Sequence, residues 1–277
     1  MAKDKYTAVW VSHSSMSDYL KCPRLYFLRN VYRDLKNNRK VSIIQPALAL
    51  GQVVHDTIDT LSRLPQEERF KESLLHTFET RWNSVTGKLG GFKNEEEEEK
   101  FKLKGHAMIE RVMKYPGPLK NKAIKIRQEL PYYWLSEEDN IILCGKIDWL
   151  EYLEKEDAVH IIDFKTGKYD EDPDSLQLPI YYLIVKHCQT RAIGKASYWY
   201  IDRDSYPLEV ELPNEEESIK RIMEVAKKVA LARKLEHFPC KTKDGCRFCK
   251  PYESIVQGRA EWVGTNDYGQ DLYILSE

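Results

Sequence analysis

Long apolar runs are absent from this sequence: it has no stretch of eighteen apolar residues, so no membrane-spanning helix is expected. The segment Met1–Lys5 lacks the apolar core of a signal peptide, and we therefore predict a cytoplasmic protein. No G-x-x-x-x-G-K-S/T motif occurs, which excludes a P-loop motor within these residues. Internal repeats and low-complexity linkers are also absent. The 277 residues are accordingly interpreted as one domain.

Charge of one sign is not in excess either, since the formal net charge is −1. This balance neither predicts nor excludes a nucleic-acid-binding protein, because the distribution of charge matters more than its sum. Basic residues concentrate in 24–40 and 114–127, and acidic residues in 95–99. We interpret the acidic run as a solvated helix start or loop.

The periodicity of apolar residues predicts helices first and strands later. A helix with a capping box formed by Ser15 and Asp18 opens the chain, and the second helix has Leu48, Val54, Ile58 and Leu61 on its buried side. This order favours an α/β fold with a mixed central sheet flanked by helices and a helical N-terminal part. The predicted parts are helical 12–120, core 121–236 and cysteine-rich 237–277. The predicted elements after the first helix are helices 46–64, 67–83 and 95–114, strands 124–135, 141–153 and 159–164, helix 174–188, strands 195–202 and 207–212, and helix 215–236.

Two carboxylates and a lysine stand out in the strand region. Asp148 follows Gly145-Lys146-Ile147 on one predicted strand, and Asp163-Phe164-Lys165 ends the next. Residues two apart on a strand share a face, so Asp163 and Lys165 are expected about 6.6 Å apart along it. Such a group is costly to bury without a task and suits Mg²⁺ or Mn²⁺. The alternative is a surface ion pair, because Asp-x-Lys alone is common.

Two helical motifs accompany this group. Gln177 and Tyr181 share one helical face, and Pro179 requires the helix to begin close to Gln177. The alternative is a half-buried tyrosine beside an exposed glutamine. His55 lies one turn after Gly51, which would allow another backbone to approach closely. A lone helical histidine is, however, more often a packed or solvated residue than a metal ligand.

In this order and spacing, the motifs resemble the RecB-like branch of the PD-(D/E)XK nucleases. This branch includes nuclease domains of bacterial recombination complexes and small CRISPR-associated exonucleases. Its pattern is a helical His, G-x-I/V-D on a strand, D/E-x-K on the next strand, and Q-x-x-x-Y on a helix. The segment from Ser14 to Tyr26, with Cys22-Pro23-Arg24, also looks like the N-terminal segment of the family. The resemblance extends over about residues 12–252.

The resemblance implies a restriction-endonuclease-like core and metal-dependent hydrolysis of DNA, by an exonuclease acting on single strands or free ends. Repair, recombination or CRISPR-type processing would be its setting, with helicase or CRISPR-adaptation proteins as partners, and an oligomer is compatible with it. The alternative is a catalytically weak DNA-binding or assembly subunit. The implied metal ligands are His55, Asp148, Asp163 and the Phe164 carbonyl, with Glu129 as a further candidate. The implied catalytic residues are Asp148, Asp163, Lys165, Gln177 and Tyr181.

Cysteine is sparse, with six in the chain, which in a cytoplasmic protein argues for metal binding over disulfides. Cys240, Cys246 and Cys249 cannot complete a four-coordinate site, and Cys22 is the natural fourth ligand. Spacing alone fits a structural Zn²⁺ and an iron–sulfur cluster equally well. The resemblance implies a 4Fe–4S cluster held by these four cysteines, with Zn²⁺ as the alternative. Cys144 and Cys188 are interpreted as inert apolar residues.

Overall fold

Helices and short strands alternate along the chain in the computed structural model, which describes residues 4–275. Residues 1–3 of the segment compared with a signal peptide lie outside the described residues. The helices are α1 (His13–Lys21), α2 (Pro23–Tyr26), α3 (Pro46–Asp59), α4 (Leu74–Trp82), α5 (Glu95–Lys114), α6 (Gln177–Cys188), α7 (Glu215–Lys234) and α8 (Lys250–Val256). The strands are β1 (Val9–Val11), β2 (Val41–Ile43), β3 (Tyr132–Ser136), β4 (Ile141–Cys144), β5 (Trp149–Leu153), β6 (Ala158–Lys165), β7 (Ala192–Tyr200), β8 (Leu208–Val210), β9 (Ala260–Thr265) and β10 (Asp271–Leu275).

The described residues fall into two compact units. The terminal unit takes its described residues from Met1–Gln45, Tyr133–Cys144 and Ile219–Glu277. The central unit comprises Pro46–Tyr132 and Gly145–Ser218. The division of one domain into residues 12–120, 121–236 and 237–277 stays a prediction. Within the described part of the chain, no helix is both long and apolar enough to cross a membrane.

The central unit is built on a four-stranded sheet of order β5-β6-β7-β8. Strand β6 pairs in parallel with β7 and antiparallel with β5, and β8 is antiparallel to β7. Because parallel neighbours require a crossover, α6 connects β6 to β7. Ile161 of β6 joins an apolar cluster with Leu178 and Val185 of α6. This packing fixes the start of α6 beside the C-terminal end of β6.

Helix α3 belongs to the same unit and differs in part from the prediction. It ends at Asp59, where a 3-10 turn over Thr60–Arg63 follows. Val54, Ile58 and Leu61 are buried as expected, whereas Leu48 is 58% exposed, so its assignment to the buried side was wrong. Leu48 lies in the first turn of α3, where the helical period alone does not show how far the packed face extends.

The terminal unit contains two three-stranded sheets, of order β1-β4-β3 and β2-β10-β9. In each, a strand near the N-terminus pairs in parallel with a strand far along the chain: β1 with β4, and β2 with β10. Helix α1 begins earlier than predicted, because Ser12 is its N-cap and Ser15 completes the capping box. Asp18 does not cap; it is buried and accepts a hydrogen bond of 2.6 Å from Arg29.

The mixed α/β class is confirmed. The described residues form three sheets, each with a parallel pair of strands, whereas one central sheet was predicted. The predicted strand 141–153 divides into β4 and β5, which belong to different sheets, and Gly145–Asp148 lies between them. The predicted strand 124–135 is regular only from Tyr132, and the predicted helix 67–83 only from Leu74. The predicted elements miss β1, β2, α8, β9 and β10.

Candidate active site and cysteine centre

The central unit brings together the predicted site residues that are far apart in sequence. Asp163 and Lys165 end β6, and Gln177 and Tyr181 lie in the first turns of α6. Asp148 lies in the irregular segment just before β5, so its placement on a strand was wrong. His55, on α3, places Nδ1 3.3 Å from Asp148 Oδ1. This network is the candidate active site.

Asp148 is fixed by its two carboxylate oxygens. Oδ2 accepts a hydrogen bond of 2.9 Å from the backbone N–H of Phe164, and Oδ1 faces His55. Burial lowers the pKa of His55, but the carboxylates of Asp148, Asp163 and Asp56 together outweigh this effect and raise it. The Phe164 ring packs against His55, with 6.1 Å between the ring centroids. Asp148 is therefore oriented from both sides before any ligand binds.

Asp163 is the most deeply buried acid of the network, with 2% of the residue exposed. Its Oδ1 accepts a hydrogen bond of 2.9 Å from Gln177 Nε2. Its Oδ2 lies 2.9 Å from Lys165 Nζ as an ion pair, but it has no partner in hydrogen-bonding geometry among the described residues. Burial and the nearby Asp148 carboxylate raise the pKa of Asp163 to about 7.

Lys165 is held by three oxygen atoms. Its Nζ contacts Asp163 Oδ2, lies 2.6 Å from Glu171 Oε2, and donates a hydrogen bond to Gln177 Oε1. Burial lowers the pKa of Lys165, but Asp163 and Glu171 together raise it above its usual value. The side chain is therefore an ammonium ion in the folded protein.

Gln177 and Tyr181 complete the network from α6. Gln177 Nε2 also lies 3.2 Å from the Tyr181 hydroxyl, so the amide links Asp163, Lys165 and Tyr181. Pro179 is the third residue of α6, as the sequence required. A Cβ on Gly145 would lie 3.0 Å from Ile184 Cδ1 and 3.6 Å from Tyr181 Cε1, so the glycine allows α6 to approach closely.

Glu171 is the site residue that sequence reasoning missed. It lies in the irregular segment between β6 and α6, and its backbone N–H donates to the Tyr200 hydroxyl at 2.9 Å. The same segment is attached to Arg203, whose guanidinium donates to the Lys168 carbonyl and to Asp170. The only signal in the sequence is an acidic residue six positions after Lys165, which is too common to single out.

Two other predicted placements have different outcomes. Gly51 does allow a close approach, but by the Thr166 side chain, whose Oγ1 would lie 3.0 Å from an added Cβ. Glu129 is exposed and lies in an irregular segment, and none of the hydrogen bonds or ion pairs of the network includes it. The structure therefore gives Glu129 no place in the candidate site.

The donor set of this site fits a hard divalent cation. Two carboxylates lie within one network, one of them carries a buried oxygen without a hydrogen bond, and burial together with Asp148 raises the pKa of Asp163. Within residues 4–275, the four cysteine sulfur atoms all lie within 4.8 Å of one another. The ligand atoms of His55, Asp148 and Asp163 do not lie so close together. The Lys165 ammonium already supplies positive charge beside Asp163 Oδ2.

In the terminal unit, Cys22, Cys240, Cys246 and Cys249 converge as predicted, with all four sulfur atoms within 4.8 Å of one another. Cys22 lies between α1 and α2, and Cys249 immediately precedes α8. Apolar side chains surround the group, and an ion pair of 2.5 Å between Arg24 and Glu253 lies beside it. Although burial opposes it, the backbone N–H groups of Cys249 and Phe248 lower the pKa of Cys246 to about 7.

The spacing of the sulfur atoms bears on the occupant. Cys246 Sγ and Cys240 Sγ each lie 3.7 Å from Cys249 Sγ. Four thiolates that share one tetrahedral ion at about 2.3 Å are roughly 3.8 Å apart. In a 4Fe–4S cluster each cysteine binds a different iron, which requires wider spacing. The two distances that involve Cys249 Sγ are close to the single-ion value.

The two remaining cysteines lie apart from this centre. Cys144 is buried in β4, with its thiol 3.5 Å from the Val11 carbonyl, and burial raises its pKa to about 11. Cys188 ends α6, its thiol lies 3.5 Å from the Tyr132 carbonyl, and burial raises its pKa. Neither thiol belongs to the converging group of four, and burial favours the neutral form of both, which supports the prediction that both are inert.

Comparison with known proteins places this geometry in a family. The model of the PD-(D/E)XK nuclease superfamily matches residues 10–255, which include every member of the candidate site and all four clustered cysteines. The chain therefore belongs to the PD-(D/E)XK nuclease superfamily, and its mixed α/β architecture is of the restriction-endonuclease-like kind. No curated protein matches the chain significantly.

Proposed function

We propose that this protein is a metal-dependent deoxyribonuclease that hydrolyses phosphodiester bonds at the Asp148–Asp163–Lys165 network. The observation that carries the proposal is the buried Asp163 carboxylate, whose Oδ2 lacks a hydrogen bond and whose pKa is raised beside a second carboxylate. Burying such a pair costs free energy unless a cation balances the charge. Because the chain belongs to a nuclease superfamily, we propose that this cation takes part in phosphodiester hydrolysis.

The proposed metal ligands come from the family resemblance, and the roles of Gln177 and Tyr181 come from their contacts. Asp148, Asp163, His55 and the Phe164 carbonyl would hold Mg²⁺ or Mn²⁺. When bound, the cation polarises the scissile phosphate and lowers the pKa of a water molecule. The Lys165 ammonium orients the attacking water and neutralises charge that develops on the phosphate. Gln177 hydrogen-bonds to both Lys165 and Asp163 and so fixes their positions relative to each other, and Tyr181 hydrogen-bonds to Gln177.

The finer assignments rest on the resemblance to RecB-like nucleases. We propose an exonuclease that acts on single-stranded DNA or on free ends, in repair, recombination or CRISPR-type processing. Helicase or CRISPR-adaptation proteins are its proposed partners, an oligomer is compatible with this role, and the cytoplasm stays the predicted location.

The test is cleavage of end-labelled single-stranded DNA with Mg²⁺ or Mn²⁺ and with EDTA. Asp163→Ala and Lys165→Ala are each expected to lower the rate by about 10³-fold or more. Glu154→Ala and Lys155→Ala, at the exposed turn between β5 and β6, change the same residue types outside the site and should leave the rate unchanged. Cleavage that persists in both Asp163→Ala and Lys165→Ala would exclude the assignment.

A second candidate is a DNA-binding or assembly subunit that keeps the nuclease fold with little activity. The observation in its favour is that the ligand atoms of His55, Asp148 and Asp163 do not converge within 4.8 Å as the cysteine sulfur atoms do. Wild-type protein that binds DNA but does not cleave it with either metal would support this alternative.

For the cysteine centre we propose a 4Fe–4S cluster on the strength of the resemblance, with structural Zn²⁺ as the candidate that the 3.7 Å sulfur spacing favours. Cys240 and Cys246 are only partly buried, so their side chains have room to move outward. Anaerobic purification followed by visible absorption and iron and zinc analysis separates the two. A colourless, zinc-loaded protein contradicts the cluster and leaves the nuclease proposal intact.

A further inference from the structure

A small open pocket lies in the terminal unit beside α8. Its volume is about 260 Å³, and α8, the segment before it and the β9–β10 hairpin contribute its walls. Small-molecule sites usually occupy about 300–1,000 Å³ and are mostly apolar. This pocket is smaller, and half of its lining is cationic. The lining residues are Arg247, Lys250, Pro251, Ser254, Arg259 and Leu275.

Positive charge is concentrated at this pocket. None of the lining residues is acidic, and within residues 4–275 none of the three forms an ion pair with a carboxylate. Arg247 lies over the Phe248 ring at 4.7 Å, and Arg259 donates to the neutral Gln257 amide. Three like charges that converge without a counter-charge raise the local potential and favour an anion.

Other arginines of the same unit are neutralised. Arg24 pairs with Glu253 at 2.5 Å, Arg29 with Asp18 at 2.6 Å, and Arg39 with Asp271 at 3.3 Å. Two of the acids, Asp18 and Asp271, are themselves buried, so these pairs belong to the packed structure. Unlike these three arginines, the pocket cations have no carboxylate partner in an ion pair within residues 4–275.

We propose that Arg247, Lys250 and Arg259 form a binding site for the phosphodiester backbone of the nucleic-acid substrate, and this inference rests on the proposed nuclease function. Guanidinium groups bind phosphate oxygens in bidentate fashion, and the Ser254 hydroxyl can donate a further hydrogen bond. The pocket has room for a phosphate group but offers no aromatic surface on which a base could stack. The site therefore contributes affinity without reading sequence.

The pocket is built on the cysteine centre. Lys250 follows Cys249 directly, and its backbone N–H donates to the Cys246 carbonyl at 3.0 Å. Arg247 lies between these two cysteines in the chain. A metal bound by the cysteines would therefore hold the backbone segment that carries two of the three cations.

The test measures binding of a fluorescent single-stranded 20-mer to the full chain without added Mg²⁺ or Mn²⁺, by anisotropy, over a range of salt concentrations. Arg247→Gln/Lys250→Gln/Arg259→Gln should flatten the slope of log K against log salt by about 1 to 2, since each lost phosphate contact removes about 0.7. The loss should be equal for oligo-dT and for a mixed sequence. Lys36→Gln/Lys220→Gln/Lys234→Gln removes the same charge at exposed positions outside the pocket and should change the slope little.

A slope equal to wild type in the pocket variant overturns the proposal, as does an equal change in the control. Iron and zinc content verifies that the cysteine centre is intact. If the triple variant loses its metal, the single substitution Arg259→Glu, ten residues after Cys249, repeats the slope measurement with the centre undisturbed. Cleavage with an unchanged slope rejects only the phosphate site, and a pocket-dependent slope without cleavage rejects only the proposed nuclease.

Discussion

The two candidate metal centres differ in whether a protein side chain supplies positive charge to their ligand atoms. The carboxylate network of the central unit contains its own cation, because Lys165 contacts Asp163, Glu171 and Gln177. The cysteine centre of the terminal unit consists of four thiols among apolar side chains. The first can keep its shape without a metal, at a cost in free energy. In the second, a bound ion would replace the thiol protons and hold the four sulfur atoms together.

This difference suggests that the carboxylate network affects mainly activity and the cysteine centre mainly stability. The carboxylate network lies at the junction of one strand and one helix, where small movements change reactivity. The cysteine centre joins α2 to α8 and supports the cationic pocket, so its loss is expected to alter packing first. Variants of the two centres test that division, beginning with the largest expected change in free energy.

Cys249→Ser should weaken the terminal unit most. Cys249 is fully buried and contacts two of the other sulfur atoms, so the variant leaves an incomplete metal site within an apolar cluster. We expect loss of bound metal and a fall of about 10 °C in the thermal midpoint. Cys188→Ser, outside the centre, is the control. Full metal content with an unchanged midpoint would show that the centre has no structural role.

Asp163→Asn should change how stability depends on pH. Burial raises the pKa of this carboxyl to about 7, so between about pH 4 and pH 7 the folded protein binds a proton that the unfolded chain releases. Its contribution to stability is therefore greatest below pH 4 and is lost as the pH rises through 7. From pH 5 to 8, without divalent cation, wild type should lose about 2 kcal/mol more than the variant.

Urea unfolding at the two pH values measures this difference, with Asp267→Asn at an exposed turn as control. If the free energy of unfolding depends on pH in the same way in wild type and in Asp163→Asn, the Asp163 carboxyl does not have the raised pKa. The same variant should lose cleavage, so stability and activity would change in opposite directions at pH 8.

Glu171→Gln should lower kcat by about tenfold and leave KM nearly unchanged, because the variant loses the charge that holds the Lys165 ammonium. Asp170→Asn is the matched control: it belongs to the same segment but pairs with Arg203. Single-turnover cleavage assays on both variants give the comparison. An equal loss of activity in Asp170→Asn would mean that Glu171 acts only by ordering the segment.

Gly145→Ala should have the smallest effect. The new Cβ would press on Ile184 and on the Tyr181 ring, with an expected cost of about 1 kcal/mol in stability and about a two- to fivefold loss of kcat. Gly167→Ala is the control, since an added Cβ there meets no atom within 4 Å. A Gly145→Ala variant as active and stable as Gly167→Ala would show that α6 has room to move.

Prediction from sequence worked where the information is local. The end of β6 and the extent of α5 follow from apolar periodicity, and Pro179 places the start of α6 close to Gln177, although the predicted range begins at 174. The four cysteines could be predicted to converge because three thiols cannot complete a tetrahedral site. The family pattern located His55, whose helical position alone points to nothing.

Prediction failed where pairing is remote. Strands β1 and β2 have three residues each, too few to show a period, and their partners β4 and β10 lie more than a hundred residues away. The segment 141–153 looks like one continuous apolar strand, yet Gly145–Asp148 interrupts it, and the two halves join different sheets. Glu171 was missed because only the fold brings its carboxylate to Lys165.

The distance in sequence between Cys22 and its partners also sets an order of assembly during synthesis. About 220 residues separate Cys22 from Cys240. At about 5–20 residues per second, roughly 10 to 45 seconds pass between their appearances at the ribosome. Every residue of the central unit is made within that interval. The candidate nuclease site can thus fold before Cys240, Cys246 and Cys249 have been synthesised. The terminal unit is completed last.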